Sequence, residues 1–305
     1  MNNLISIIIP AYNRESTIVR AVDSVLNQTY NNIEVVVVDD CSTDKTKEMV
    51  LSIGDPRVTY HRLDRNSGAC VARNTGVSMS NGSIVAFQDS DDFWHKTKLE
   101  RQIAYMENGN YDFITCGFYR VVGSEHFATG IKECPNDPVQ LWCELLNNNW
   151  VSTQTIVCKK KCFDRIAFDP KIRRYQDWDL ALQAANYFKI GCLNECLVDV
   201  FLQENSITNT VKNYEAMLAV IEKHKVDVIP GKKQMRAQYM KSLADVHRER
   251  EGVRAGKEYL SSFVASPSLK ILCLSILSFF GIMKFYKNRG PRINLYSEKY
   301  MGRLK

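Results

Sequence analysis

Among the ten cysteines there is no CxxC pair, and no basic, apolar leader precedes the first strand-like segment, so reduced thiols in a cytoplasmic setting are expected. No stretch reaches the ~20 consecutive apolar residues that a spanning helix needs. Neither a GxGxxG after the first strand-like segment nor a GxxxxGK(S/T) loop occurs, which argues against dinucleotide oxidoreductases and P-loop nucleotidases. Glycine (15) and proline (8) are too sparse for collagen or a low-complexity chain, and no internal repeat is present.

What is present is an ordinary globular composition, 45% hydrophobic and 24% charged over 305 residues. That length suits one large α/β domain with an appendage, or two domains. The net charge of +6 is unevenly placed: after residue 230 there are 16 basic and 5 acidic side chains, which leaves the first 230 residues net acidic by five. A nucleic-acid binder would carry its basic surface on the active domain, so nucleic acid is excluded as a partner, and any anionic surface is met by the C-terminus alone.

Ser6 to Pro10 and Ile33 to Val38 read as strands, the second apolar throughout like a parallel strand covered on both faces. Between them Ile18, Val22, Val25 and Leu26 recur at helical spacing. Arg57 to Leu63, the helix Ala69 to Met79 and the strand Ser83 to Gln88 continue the alternation. A helix over Lys96 to Asn108, strands over Tyr111 to Val122 and Val151 to Val157, a helix over Trp178 to Phe188 and a strand over 192–203 follow. The order predicts an α/β fold with a doubly wound, mostly parallel sheet flanked by helices, ligands lying beyond the strands' carboxyl ends. From about 211 the chain reads as helices, and the boundary between domains is placed at 205.

Polar clusters fall at those strand ends. Gln88-Asp89-Ser90-Asp91-Asp92 puts three carboxylates in four residues; if the extended backbone persists, Asp89 and Asp91 share a side, and a divalent cation would relieve their repulsion. A solvated acidic turn is the plainer reading of an isolated triplet. Asp40, after the second strand, could accept from a base N–H or a ribose hydroxyl, and Tyr12 could stack on a planar base. Asn66 and Gly68 open a helix whose free N–H groups suit a diphosphate, with Arg73 adding charge-assisted bonds. Asp177, at a helix start beside Trp178 and downstream of Arg173 and Arg174, could serve as a general base or as a simple capping residue.

In this order, the blocks SIIIPAYNR, VVVVDDCSTD, NSGACVARNTG, VAFQDSDD and RRYQDWDL closely resemble those of the family 2 inverting glycosyltransferases of GT-A fold, over residues 4 to about 205. The resemblance implies nucleotide binding by Pro10, Tyr12 and Asp40. It implies Mn²⁺ or Mg²⁺ on the donor diphosphate at Asp89, Asp91 and Asp92, with Asp91 and Asp92 taken as the ligands and Asp89 as a cofactor contact. It also implies a catalytic base at Asp177, preceded here by Gln176 where the family usually has Glu. The expected activity is metal-dependent transfer of a sugar from a nucleotide diphosphate donor, a UDP-sugar first, to a hydroxyl of a lipid-linked glycan. The setting is bacterial lipopolysaccharide O-antigen or capsule assembly. A polyprenyl-phosphate hexose synthase and a noncatalytic glycan-binding scaffold remain alternatives.

Residues 206–305 form the expected helical, basic C-terminal region. Within it Leu269 to Met283 is too short to span a bilayer, and the residues after it are rich in Lys and Arg. Two readings stand side by side: an interfacial helix on anionic lipid, which would make the protein peripheral on the inner face of the cell membrane, or a core helix with a solvated tail.

Overall fold

The computed structural model describes residues 3–130, 133–201, 213–225, 233–248 and 251–279. Strand β1 (Ile5–Ala11) is buried at every position and β2 (Ile33–Asp39) at all but one, as strands covered by helices on both faces must be. The order continues α1 (Ile18–Leu26, between them), α2 (Thr46–Ser52), β3 (Val58–Arg62), α3 (Ala69–Met79), β4 (Ile84–Phe87), β5 (Phe93–Trp94) and α4 (Lys98–Gly109). Then come β6 (Phe113–Val122), β7 (Glu125–Thr129), α5 (Pro138–Asn147), β8 (Val157–Lys159), α6 (Gln176–Ala185) and β9 (Ile190–Phe201). Helices α7 (Asn213–Lys223), α8 (Lys233–His247), α9 (Gly252–Ala265) and α10 (Leu269–Phe279) complete the described elements.

All nine described strands join one sheet in the order β3-β2-β1-β4-β8-β6-β9-β5, with β7 paired to β6. The first four run parallel, β8 runs antiparallel to both of its neighbours, and β6 is parallel to β9. Helix α3 lies close on β1: a Cβ added at Gly76 would come within 2.4 Å of Ile8 Cγ2. Pro10 is buried in β1, one residue before its end. In a parallel strand a residue's N–H and C=O face the same neighbour, and Ile8 O receives Gln88 N at 3.0 Å on the β4 side. Pro10, two residues on, therefore faces past the end of β4, where its missing N–H breaks no ladder.

The segment Val151 to Val157, expected as a strand, is instead a short 3-10 turn at Thr153–Thr155, and the strand begins only at Val157. Thr155 turns the chain back by donating both its N–H and its hydroxyl to Ser152 O. Cys134 and Cys192 are brought together with Cα atoms 5.4 Å apart, a separation that a disulfide can bridge.

The chain divides into two compact units, Met1–Cys134 with Val151–Thr210, and Pro135–Trp150 with Val211–Lys305. The first holds the sheet. In the second, Ala244, Ala255, Tyr259, Ile271 and Leu274 form a core. The helix expected over Leu269 to Met283 is α10 as far as Phe279: Ile271, Leu274, Ser275 and Ser278 are buried, and Ser275 Oγ donates to Gly256 O at 2.9 Å. One face of the helix packs in the second unit while Leu269, Cys273 and Ile276 are exposed, and residues 280–305 lie outside the described ones. Among the described residues no helix is long and apolar enough to cross a membrane.

Candidate active site

The ends of β1 and β2 are tied to each other. Asp40 N donates to Ala11 O at 2.8 Å, Asn13 N to Ser42 Oγ at 2.9 Å, and Thr43 N to Asn13 Oδ1 at 2.8 Å. Two residues in these loops, Asn13 and Cys41, take the left-handed backbone region at φ 52° and 66°, a strain that persists only where the surroundings enforce it. The loops leave the Tyr12 ring 43% exposed at the sheet edge. Asp39 is buried and used internally, accepting from Ser42 N and the Tyr60 hydroxyl. Burial first, and Asp39 second, push the Tyr60 hydroxyl up to about 12.

Asp40 and the start of α3, expected as two separate ligand contacts, satisfy each other. Asp40 Oδ1 accepts from Ser67 N at 2.6 Å and Oδ2 from Gly68 N at 2.7 Å. Helix α3 has no side-chain cap of its own, so the carboxylate of a neighbouring strand end supplies the anion its N-terminus favours. Gly68 turns the chain at φ 91°, open to glycine and strained for any other residue. The Gly68 N–H is thus not available to a diphosphate; Asn66 is exposed beside it.

The carboxylate cluster forms a turn and not an extended continuation of β4, closed by Asp92 N donating to Asp89 O at 3.2 Å. It still leaves Asp89 and Asp91 partly exposed, with 27% and 20% of their side chains accessible. Asp92 points inward: it is buried, and its Oδ1 accepts from Phe201 N of β9 at 3.0 Å. That burial sets Asp92 apart from Asp89 and Asp91, the carboxylates of the turn that stay partly exposed. Burial and then the Asp89 charge raise the Asp91 carboxyl, while burial followed by Asp91 and Asp89 raises Asp92 well above the ordinary range. Gln88, fully buried just before the turn, has no hydrogen-bond partner among the described residues for either amide atom. Among the described residues no three His, Cys, Asp or Glu side chains converge as a finished metal centre. The mutual repulsion of Asp89 and Asp91 is nevertheless what a divalent cation relieves, and hard carboxylate oxygens suit Mg²⁺ or Mn²⁺, so the donor chemistry fits such an ion at Asp91 with Asp89 beside it.

Arg73 is the link to the remaining block. Its side chain is 7% exposed, Nη2 donates to Asp89 Oδ1 at 2.7 Å, Nη1 donates to Gln176 Oε1 at 2.6 Å, and the guanidinium lies over the Phe168 ring. Expected as a phosphate contact, it is a buried strut joining the carboxylate turn to the first turn of α6. That turn carries Asp177, whose Oδ1 accepts from Trp178 N at 2.7 Å, and Trp178 is fully buried behind it. Tyr175, just before the helix, sits at φ 64°, a third left-handed residue at the site. Gln176, where a Glu was the family habit, serves Arg73 as a neutral acceptor.

Three arginines escaped the sequence reading. Arg14 donates to the carbonyls of Tyr12 and Asn13 and lies 3.6 Å from Asp91 Oδ2. Arg20 donates to Asp91 O at 2.5 Å and covers the Phe201 ring. Burial lowers the proton affinity of Arg120 on β6, an effect that the charge of Asp177 partly offsets. Arg14 stands inside a quoted block and could have been weighed; Arg20 and Arg120 sit in an ordinary helix and strand and carry no local signal.

Residues 6–166 match the sequence model of glycosyl transferase family 2. UDP-Glc:alpha-D-GlcNAc-diphosphoundecaprenol beta-1,3-glucosyltransferase WfaP of Escherichia coli is 31% identical over 215 residues, covering 70% of this chain and 83% of that protein. WfgD of Escherichia coli, which bears the same enzymatic name, is 35% identical over 191 residues, 62% of this chain and 74% of its own. Among solved structures, residues 1–349 of Staphylococcus aureus TarS in complex with UDP-GlcNAc superpose with a TM-score of 0.67 at 19% identity, covering 97% of this chain and 92% of that one.

Proposed function

The chain belongs to glycosyl transferase family 2, and from that premise we propose that it transfers a sugar from a UDP-linked donor to a hydroxyl of a lipid-linked glycan, by single displacement, in the assembly of a bacterial surface polysaccharide. The observation that carries the proposal is the Arg73 strut, which holds the outward carboxylates of the 89–92 turn and the Asp177 turn of α6 as two sides of one site.

On the donor side, the exposed Tyr12 ring offers a face to the base, and Asp40, fixed by Ser67 and Gly68, keeps lone pairs for a base N–H or a ribose hydroxyl. Asp91, with Asp89, would hold Mn²⁺ or Mg²⁺, and that ion when bound neutralises charge developing on the leaving diphosphate. Arg14 and Arg20 brace the same turn through Asp91. On the other side Asp177 takes the proton of the acceptor hydroxyl as it attacks, and the buried Trp178 ring excludes water from behind it. Attack opposite the leaving group inverts the anomeric carbon. The named relatives act, by their names, on a diphosphoundecaprenol-linked sugar, which supports a lipid-linked acceptor here.

The test is a thermal-shift titration of UDP with and without Mn²⁺, followed by a UDP-sugar hydrolysis and transfer assay. A nucleotide at 100-fold its Kd stabilises by about 2.7 kcal/mol. A shift with UDP that grows with Mn²⁺ supports the reading; no shift with any nucleoside diphosphate overturns it, and binding without hydrolysis or transfer points to the noncatalytic scaffold.

A further inference from the structure

The arginines around the 89–92 turn meet it in different ways. Arg73 bonds the Asp89 carboxylate directly at 2.7 Å, and Arg20 binds the main-chain carbonyl of Asp91. Asp92 is turned inward to Phe201 N. Among the described residues, the guanidinium standing at the Asp91 carboxylate is that of Arg14. Its Nη2 lies 3.6 Å from Asp91 Oδ2, too long for a hydrogen bond, while its Nη1 donates to Tyr12 O and Asn13 O at 3.1 Å each. Arg14 is thus anchored on the loop that carries the Tyr12 ring, and only the other edge of its fork reaches Asp91. Both side chains are partly open to solvent, 29% for Arg14 and 20% for Asp91.

This arrangement bears on how a divalent cation reaches Asp91. Three guanidiniums already compensate the three carboxylates of the turn, so a bare ion meets little net attraction there. An ion on Asp91 must also share that carboxylate with Arg14 or displace it, and two like charges on one partly buried carboxylate repel. A nucleotide diphosphate changes the balance, because it brings negative charge of its own and its phosphates match the planar fork as a carboxylate does. Arg14 links the Tyr12 backbone to the Asp91 carboxylate, so a nucleotide with its base at Tyr12 and its diphosphate at Asp91 passes the outer edge of the fork.

We propose that Arg14 holds the place of the divalent cation at Asp91 and yields it only when a donor diphosphate is there to receive the guanidinium, so that metal and nucleotide are taken up together. This rests on the assignment of the cation to Asp91 and of the base to Tyr12. Arg14 is then a positioning residue that sets the order of binding, and its removal should strengthen the binding of the metal alone.

The probe is Mn²⁺, its free form read by electron paramagnetic resonance, titrated into full-length wild type, Arg14→Gln and Arg14→Lys with and without saturating UDP. Wild type should bind Mn²⁺ at least about tenfold tighter with UDP than without, and by linkage UDP gains the same factor from Mn²⁺. Arg14→Gln should bind Mn²⁺ without UDP roughly tenfold tighter than wild type, because the competing charge is gone, and the enhancement by UDP should shrink in proportion. Arg14→Lys keeps the charge and should stay nearer wild type, and in an Asp91→Asn background Arg14→Gln should bring no gain. A residue that merely braces the turn gives the opposite sign, since its loss weakens Mn²⁺ binding. The inference is overturned if wild type binds Mn²⁺ alike with and without UDP, or if Arg14→Gln leaves the nucleotide-free Mn²⁺ affinity unchanged or lower. The wild-type comparison decides the order of uptake even if the Gln variant does not fold, which its UDP affinity reports. Binding of UDP with no uptake of Mn²⁺ in either condition would instead remove the cation from Asp91, and the role of Arg14 with it.

Discussion

Replacing Arg73 by Lys keeps a positive charge beside Asp89 but removes the fork with which one guanidinium reaches Asp89 and Gln176 together. The ammonium stays with the carboxylate, and the Gln176 oxygen loses its charged donor. A hydrogen bond to a charged group contributes roughly 1.5–3 kcal/mol; because Gln176 is partly exposed, water recovers some of it, leaving about 1–2 kcal/mol. Loss of the guanidinium over the Phe168 ring, 5.3 Å from its centroid, adds roughly 0.5 kcal/mol. The assay is urea unfolding of wild type, Arg73→Lys, Gln176→Leu and the double variant, followed by tryptophan fluorescence. Each single change should lower stability by about 1–2 kcal/mol, and Gln176→Leu should cost under about 0.5 kcal/mol when Lys is already in place. Transfer should fall at least about tenfold in Arg73→Lys while UDP affinity changes little, because the turn bearing Asp177 is displaced from the donor. Additive stability losses, with coupling below about 0.3 kcal/mol, would refute the strut.

Gly68→Ala should lower stability by about 1–3 kcal/mol, since φ 91° strains any side chain, and weaken UDP binding through Asp40; unchanged urea midpoint and unchanged UDP affinity would contradict this. Lys98 is fully buried, its Nζ 2.7 Å from Gln102 Oε1 and 3.8 Å from the Trp94 ring centroid, and burial lowers it from 10.5 to about 8. Between those values the unfolded chain holds a proton that the folded one has released, so this group makes stability rise with pH from about 8 to 10.5, by up to about 3 kcal/mol less what the Trp94 ring returns to the charged form. Lys98→Met should remove that rise, read as urea midpoints at several pH values across the interval; an identical rise in the variant rules Lys98 out as its source. Asp91→Asn should abolish the Mn²⁺-dependent part of the UDP thermal shift, and a full metal effect in that variant would move the cation elsewhere.

Much of the first unit was readable because its signals are local. Helix α3 runs over Ala69–Met79 as its pattern predicts, and the apolar runs of β1 and β2 could only be covered strands. Where the sequence misled, a local apolar run met a local hydrogen bond: Thr155 curls back on Ser152, so the Val151 to Val157 run is mostly not a strand. The two-residue strand β5 and the polar β7 were invisible, since each exists only through its pairing, to β9 and to β6. At the site the blocks were found but not their mutual use. That Asp40 caps α3, that Arg73 joins Asp89 to Gln176, and that Asp92 turns inward to Phe201 are contacts across 16 to 109 positions of chain. Spacing carries no trace of such pairs.

Whether one site holds a donor diphosphate at Asp91 and a base at Asp177 is tested most directly by Asp177→Asn, with UDP affinity and sugar transfer measured on the same preparation. The asparagine keeps the size of the side chain and the acceptor for Trp178 N but cannot take a proton. Transfer should fall by roughly a hundredfold or more while the UDP Kd stays unchanged. Full transfer in the variant, or a loss of UDP affinity equal to the loss of rate, would contradict the assignment of Asp177 as the base.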